Sequence, residues 1–246
     1  MTNTNRPIRR ALVSVFHKEG IEVLAEAFIK AGTEVVSTGS TAKRLAELGV
    51  AVTEVSEVTG FPECLDGRVK TLDPHIHAGI LADMTNPDHA AQLEKFGIKP
   101  FDLVVVNLYP FADTVRSGAD EAAVIEKIDI GGISLIRAAA KNFKDVVIVP
   151  SVDQYAEFFE IIDAQHSSTT LEQRRRFAAH AFNVSSHYDT AIFNYFNRQE
   201  KIGSFKLSLP QGTTLRYGEN PHQKGYFYGN LEAMFDQIHG KEISYN

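Results

Sequence analysis

An unbroken apolar run near the middle of the chain constrains the fold more than any other feature. Residues 103–106 read LVVV, and the run ends at the sequence NLYPF, which begins with Asn107 and contains Pro110. A strand that is apolar on both of its alternating faces is typical of the interior of a parallel sheet, where helices cover both sides. The sequence therefore predicts an α/β fold built around this strand.

The segments around this run alternate between β-rich and helical patterns. Further strands are predicted at residues 11–16, 33–37, 51–55 and 145–150, and helices at residues 20–32, 41–50, 131–142 and 151–164. Such alternation predicts a parallel sheet with helices on both faces. A long arginine-rich helical pattern follows from about residue 170 to 198, and then Gly, Pro and polar residues dominate. We therefore predict a first domain over residues 1–200 and a fragment of a second over residues 201–246.

Composition excludes several classes of function. Of the 246 residues, 43% are hydrophobic and 23% are charged, which is the balance of an ordinary globular protein. The formal net charge of −6 argues against a general nucleic-acid coat, and no apolar run reaches the ~20 residues of a membrane helix. Cys64 is the single cysteine, so no intrachain disulfide can form. We expect a cytoplasmic protein with small-molecule partners, no nucleic acid and no membrane.

Hydroxyl-bearing residues cluster where the second predicted strand gives way to a helix. The sequence STGST occupies residues 37–41. In an open parallel sheet, ligands bind beyond the carboxyl ends of the strands, where a following helix begins with free N–H groups and a positive dipole end. Ser14 and Lys18 follow the first strand and are predicted on the same edge. A phosphate site is one interpretation, and a helix cap by Thr38 or Ser40 is the other.

A long segment predicted to be irregular runs from residue 61 to 81. It carries six polar side chains, Arg68, Lys70, Thr71, Asp73, His75 and His77. Long irregular segments within α/β domains are usually functional. The carboxylate and the two histidines could ligate a metal from one side of a strand. Alternatively, the two cations face an anionic substrate, and the histidines pack or cap.

Two further segments carry candidate catalytic or binding residues. One lies at the end of the central strand, and the other lies at a predicted helix. Asn107 and Tyr109 alternate at the end of the central strand, so an amide and a phenol face one side unless Pro110 simply ends the strand. Asp129 precedes a predicted helix start at two glycines, whose N–H groups would form an oxyanion hole. Lys141 lies at the end of that helix. The structural alternatives are an N-cap for Asp129 and a dipole partner for Lys141.

Together, five collinear motifs resemble one known family. They read SVFHKEG, STGSTAKRL, EVTGFPECLDGRVKTLDPHIHAGIL, NLYPF and IDIGGISLIRAAAKN. They resemble the N-terminal inosine monophosphate (IMP) cyclohydrolase domain of bifunctional purine-biosynthesis enzymes, whose partner activity is 5-aminoimidazole-4-carboxamide ribonucleotide (AICAR) transformylase. Beyond residue 200, LRYGENPHQ and GKEISYN resemble the first motifs of the transformylase domain. One departure is Asp73, where many relatives carry histidine.

The resemblance implies a fold like that of methylglyoxal synthase and a homodimer. It also implies the dehydrative ring closure of 5-formamidoimidazole-4-carboxamide ribonucleotide (FAICAR) to IMP. No metal or cofactor is implied for this reaction. The cofactor 10-formyltetrahydrofolate would serve only the transformylase domain, whose site is expected to be incomplete here. The alternatives are an allosteric domain with the same phosphate loop, which would not need the catalytic residues, and a metal-dependent hydrolase.

The resemblance also implies roles for individual residues. The residues expected to bind the 5′-phosphate are Ser14, Lys18, Thr38, Gly39 and Thr41. Those expected to contact ribose and base are Arg68, Thr71, Asn107, Ile130 and Gly131. The expected catalytic residues are Lys70, Tyr109, Asp129 and Lys141. Asp129 is favoured as the proton acceptor, because a carboxylate among cations should be ionised. In the transformylase fragment, AICAR contacts fall to Arg216 and Tyr217.

Overall fold

The computed structural model describes residues 5–209, 212–229, 238–241 and 243–245. In chain order, the strands are β1 (Arg6–Pro7), β2 (Arg10–Val15), β3 (Glu34–Ser37), β4 (Val52–Glu54), β5 (Leu103–Asn107), β6 (Val147–Val149), β7 (Ser168–Thr169), β8 (Gly212–Thr214) and β9 (Tyr226–Tyr228). The helices are α1 (Ile21–Ala31), α2 (Gly39–Glu47), α3 (Val55–Thr59), α4 (Pro74–Leu81), α5 (Pro87–Lys95), α6 (Phe111–Arg116), α7 (Glu121–Ile125), α8 (Gly131–Lys141), α9 (Tyr155–Ala164) and α10 (Leu171–Glu200). A short 3₁₀ helix covers Val152–Gln154.

A five-stranded parallel sheet forms the centre of the first part of the chain. Its strand order is β4-β3-β2-β5-β6, so β2 is the middle strand. Val13 of β2 lies opposite Ser37 of β3 and Val105 of β5. Every residue of β5 is buried, so both faces of the sheet are covered at this strand. The predicted parallel α/β fold with an inner apolar strand is therefore confirmed.

The helices bury apolar stripes against this sheet. In α1, for example, Ile21, Leu24, Ala25 and Phe28 are buried, which is the spacing that places side chains on one helical face. Burial of these stripes removes most of the large apolar side chains of the sheet layer from water, and this transfer is the main favourable contribution to folding. Among the described residues, no helix combines the length and apolar character needed to cross a bilayer.

The predicted irregular segment ends in a helix. Asp73 is the N-cap of α4, and its carboxylate accepts a hydrogen bond from the His75 N–H at 2.8 Å. Pro74 occupies the first helical position, where its missing N–H costs nothing. The prediction that residues 61–81 are irregular is therefore wrong for the second half. In the described part of the chain, Asp73, His75 and His77 do not form a cluster of metal ligands.

The chain divides by its contacts into two compact units, Met1–Tyr188 and Asp189–Asn246. The first holds the parallel sheet. The second contains a hairpin in which β8 pairs antiparallel with β9. A boundary near residue 200 was predicted from composition; α10 ends at Glu200, and the boundary stays a prediction. A short helix expected at residues 228–235 falls mostly outside the described residues.

A buried guanidinium fastens the first half of α10. Arg174 is only 2% exposed, and its Nε and Nη2 donate hydrogen bonds to the carbonyl oxygens of Phe143 and Lys144, each at 3.0 Å. Its Nη1 donates to the Thr169 carbonyl at 2.5 Å. Burial lowers the pKa of Arg174, because the charged form loses its hydration. The guanidinium thus joins α10 to β7 and to the loop after α8.

Arg174→Met should destabilise the fold by about 3 kcal/mol or more, because it leaves buried carbonyl oxygens without donors. The measurement is the free energy of unfolding in urea. Arg175→Met is the matched control, since that neighbouring guanidinium is exposed and stacks 5.6 Å from the Phe143 ring. Equal stability losses in the two variants would contradict the structural role assigned to Arg174.

Candidate active site

A cleft of about 670 Å³ opens at the carboxyl ends of β2, β3 and β5. Its walls are completed by residues 66–72 and 125–132. This is the edge at which a parallel sheet binds ligands. The cleft brings together most of the residues predicted for the cyclohydrolase site, namely Ser14, Thr38, Gly39, Thr41, Arg68, Lys70, Thr71, Asn107, Tyr109, Asp129, Ile130 and Gly131. It is not lined by Lys18 or Lys141.

The start of α2 presents unused donors to the cleft. Thr38 is the N-cap, but its side chain does not cap the helix. Within the described residues, the N–H groups of Gly39, Ser40 and Thr41 and the hydroxyls of Thr38 and Ser40 have no hydrogen-bond partner. A Cβ placed on Gly39 would lie 3.5 Å from the Lys70 ammonium nitrogen, so this cation is close. Free N–H groups, the helix dipole and an ammonium together favour an anion here.

Thr41 and Lys18 sit beneath this helix start and hold it against β2. The buried Thr41 hydroxyl donates to the Val15 carbonyl at 2.9 Å and accepts from the Lys18 ammonium at 3.0 Å. The Lys18 ammonium also donates to the Val15 carbonyl. Desolvation lowers the pKa of Lys18. The resemblance implied that both side chains contact phosphate. In the structure, both donate hydrogen bonds to the Val15 carbonyl and thereby position the start of α2.

The Asn107 side chain is likewise occupied by the protein. Its Oδ1 accepts hydrogen bonds from the N–H groups of Phe16 at 2.6 Å and His17 at 2.9 Å. Its Nδ2 donates to the His17 carbonyl at 3.1 Å. Asn107 therefore joins the end of β5 to the loop after β2. The contact of Asn107 with ribose or base, which the resemblance implied, stays a prediction.

Asp129 is a partly buried carboxylate at the other end of the cleft. Its Oδ1 accepts from the Gly132 N–H at 2.6 Å, and the Tyr109 N–H also donates to the carboxylate. Its own N–H donates to the Tyr188 hydroxyl at 2.8 Å, which fixes the backbone. Burial raises the pKa of Asp129 more than these two N–H donors lower it. The expectation that cations dominate this carboxylate is therefore wrong.

The start of α8 provides a pair of free donors beside Asp129. The Gly132 N–H is taken by the Asp129 carboxylate, so the prediction that both glycines leave open N–H groups is wrong for this one. In contrast, the N–H groups of Ile130 and Gly131 have no partner among the residues that the structure describes. These two donors lie at a helix N-terminus and can stabilise a developing oxyanion.

The two cations of residues 66–72 are held by a left-handed turn. Leu65, Asp66 and Gly67 have φ values of 54°, 55° and 84°. A Cβ on Gly67 would lie 2.6 Å from Lys70 Cε, so the lysine stem packs directly on this glycine. The Arg68 guanidinium is 2.5 Å from the Glu126 carboxylate. The Lys70 ammonium is 3.1 Å from the carboxylate of Glu63, a residue that does not line the cleft.

Several lining residues escaped the motif-based predictions. Phe16 and Tyr109 pack edge to face with ring centroids 5.3 Å apart. The Lys127 ammonium lies 5.4 Å from the Phe16 centroid and 5.6 Å from that of Tyr109. Glu126, which pairs with Arg68, was also missed. The available signal was the position of Glu126 and Lys127 directly before the IDIGG motif.

Two groups of predicted residues lie elsewhere. Lys141 is the exposed last residue of α8, about 15 Å along the helix from Gly131. The structure therefore does not bring it to the cleft of its own chain. Arg216 and Tyr217 belong to the second unit, where the Arg216 Nη2 donates to the Tyr217 hydroxyl at 3.1 Å.

Comparison with known proteins explains the two parts of the chain. The family model of the MGS-like domain matches residues 20–134, and that of the AICARFT/IMPCHase bienzyme matches residues 139–246. The bifunctional purine biosynthesis protein PurH of Bacteroides thetaiotaomicron is 54% identical over 242 residues. The chain belongs to the PurH family. PurH of Cutibacterium acnes is 51% identical over 251 residues.

The chain spans about half the length of these PurH relatives. Each alignment covers 98% of this chain and 48% of the relative. Among solved structures, the crystal structure of ForH is 30% identical with a TM-score of 0.66, covering 76% of this chain and 96% of that one. The MGS-like match and this structural similarity confirm the fold that the sequence resemblance implied.

Gly67→Ala should reduce the affinity of the cleft for inorganic phosphate several-fold, because the new Cβ displaces Lys70. The measurement is isothermal titration calorimetry. Gly60→Ala is the matched control, since Gly60 has a similar φ of 67° but nothing within 4 Å of the added Cβ. Both variants carry backbone strain of about 1 kcal/mol. Equal affinities in the two variants would show that the contact with Lys70 is unimportant.

Proposed function

We propose that this chain carries the IMP cyclohydrolase activity of the PurH family, closing the ring of FAICAR to give IMP. The observation that carries the proposal is the composition of one cleft. It joins an anion-binding helix start at α2 to a partly buried carboxylate and two free N–H donors at α8. A phosphorylated ribonucleotide with a polar ring needs both ends. An allosteric phosphate-binding domain would need only the first.

The α2 end accounts for the phosphate. The N–H groups of residues 39–41 and the hydroxyls of Thr38 and Ser40 are available to phosphate oxygens. The Lys70 ammonium lies beside Gly39, so we assign it to neutralising phosphate charge. This differs from the catalytic role that the sequence resemblance implied for Lys70. Phosphate bound here leaves the ring directed along the cleft, towards α8.

The α8 end accounts for ring closure. The carboxamide nitrogen attacks the formyl carbon, and Asp129 accepts the proton that this nitrogen loses. The Ile130 and Gly131 N–H groups stabilise the oxygen of the former formyl group as it gains negative charge. Asp129 passes this proton to that oxygen, which becomes a hydroxyl. Tyr109 lines the cleft and protonates the hydroxyl, which leaves as water. The formamide nitrogen loses its proton as the ring C=N bond forms, and this proton restores the Tyr109 hydroxyl. Both reacting groups belong to one molecule, so the reaction balances without a metal or redox cofactor.

Other expectations stay predictions. They are the homodimer, the cytoplasmic location, the domain boundary near residue 200, and the use of 10-formyltetrahydrofolate by a transformylase domain. Arg216 and Tyr217 remain candidates for AICAR contacts in that domain. For the cyclohydrolase, the direct test is formation of IMP from synthetic FAICAR, followed by ultraviolet absorbance with the purified chain.

Asp129→Asn should lower kcat by about a hundredfold or more, the usual contribution of a general base. The asparagine Oδ1 can still accept the Gly132 N–H, so the start of α8 is preserved. Burial raises the pKa of Asp129, and the base is active when ionised. The wild-type rate should therefore fall as the pH drops through a value above the ordinary carboxyl pKa of about 4.

The control for this experiment is Asp120→Asn, which changes an N-cap carboxylate that lies outside the cleft. It should leave the rate and its pH profile unchanged. Retention of the acidic limb in the Asp129→Asn variant, or equal rates in the two variants, would exclude Asp129 as the base.

Thr38→Val and Ser40→Ala should each raise KM for FAICAR about tenfold with little change in kcat. The phosphate is remote from the closing ring, so its contacts stabilise ground state and transition state equally. The tenfold estimate is typical of a hydrogen bond to a charged group. Ser56→Ala removes an exposed hydroxyl outside the cleft and is the control. A reduction confined to kcat would contradict the phosphate assignment.

A further inference from the structure

One cation of the cleft is already engaged by a carboxylate that lines the same cleft. The Glu126 Oε2 lies 2.5 Å from the Arg68 Nη2, and both residues belong to the cleft wall. A ligand that uses the Arg68 guanidinium must therefore displace this carboxylate or share the guanidinium with it. A negatively charged ligand also meets repulsion from Glu126.

The ion pair is built to be exchanged rather than to stabilise the fold. The Arg68 and Glu126 side chains are 66% and 56% exposed, and exposed pairs contribute little to stability. The two backbones are nevertheless fixed. Arg68 lies in the turn closed by the Cys64–Val69 bridge, and the Glu126 N–H donates to the Ala122 carbonyl at the end of α7. Both ends of the pair are thus held at the cleft, while the contact between them is easily broken.

We propose that Glu126 is an internal competitor for Arg68, and that it sets how tightly the cleft holds its nucleotide and how fast it releases it. The inference rests on the proposed function. On binding, a polar oxygen of the ligand replaces the Glu126 carboxylate at the guanidinium. On release, the carboxylate returns to Arg68 and stabilises the cleft without its ligand.

Lys70 provides an internal comparison. Its ammonium is 3.1 Å from the Glu63 carboxylate, but Glu63 does not line the cleft. Glu63 is therefore a counter-ion outside the cleft, whereas Glu126 lines the cleft in which the ligand binds.

The test is the dissociation constant of IMP, measured by isothermal titration calorimetry, with the dissociation rate from stopped-flow displacement. Glu126→Gln should bind IMP about threefold to fivefold more tightly at low salt, the range expected of an exposed ion pair. It should also release IMP more slowly. The gain should shrink as salt screens the pair. Glu63→Gln and Glu121→Gln carry the same charge change outside the cleft and should shift the constant much less.

A double-mutant cycle separates competition from general repulsion. In an Arg68→Met background, Glu126→Gln should improve binding much less, because only the general repulsion is relieved and there is no guanidinium to release. A gain of the same size in that background overturns the inference, and so does an unchanged or weaker affinity in the single variant. Wild-type protein that fails to bind IMP would reject the proposed function itself, whereas normal binding with no Glu126 effect rejects this inference alone.

Discussion

Parallel pairing of β2 with both β3 and β5 is the constraint on which the rest of the structure depends. It aligns the carboxyl ends of three strands at one edge of the sheet. The chain leaves each strand there, and each exit supplies one wall of the cleft. Because all five residues of β5 are buried, this edge cannot shift without disturbing the core. Hydrophobic packing of the sheet therefore determines the geometry of the cleft.

Polar groups beneath the cleft convert this alignment into fixed positions. Thr41 and Lys18 attach the start of α2 to β2, and Asn107 attaches the end of β5 to the loop after β2. These side chains form hydrogen bonds within the protein, whereas free N–H groups at the starts of α2 and α8 are available to a ligand. Preorganised backbone donors of this kind need little rearrangement when charge develops.

Much of the fold could be predicted from the sequence, because period and turn chemistry are local properties. The apolar run at β5 and the helical stripe of α1 both appear in the structure as predicted. Most of the site residues predicted from the motifs also line one cleft. What failed was the partner of each group. Asn107 and Gly132 carry the right chemistry, but tertiary contacts occupy them, and no pattern in the sequence reveals that.

The contact between Gly67 and Lys70 has a consequence for how this family can vary. The glycine Cα provides the surface on which the lysine stem rests, and its left-handed φ of 84° excludes most other residues. Substitutions at residues 67 and 70 are therefore coupled. A side chain at residue 67 would need the room that the Lys70 stem now fills, as well as a left-handed backbone. A shorter residue 70 would give that room but would remove the ammonium from the start of α2, so a requirement for this cation also restricts residue 67.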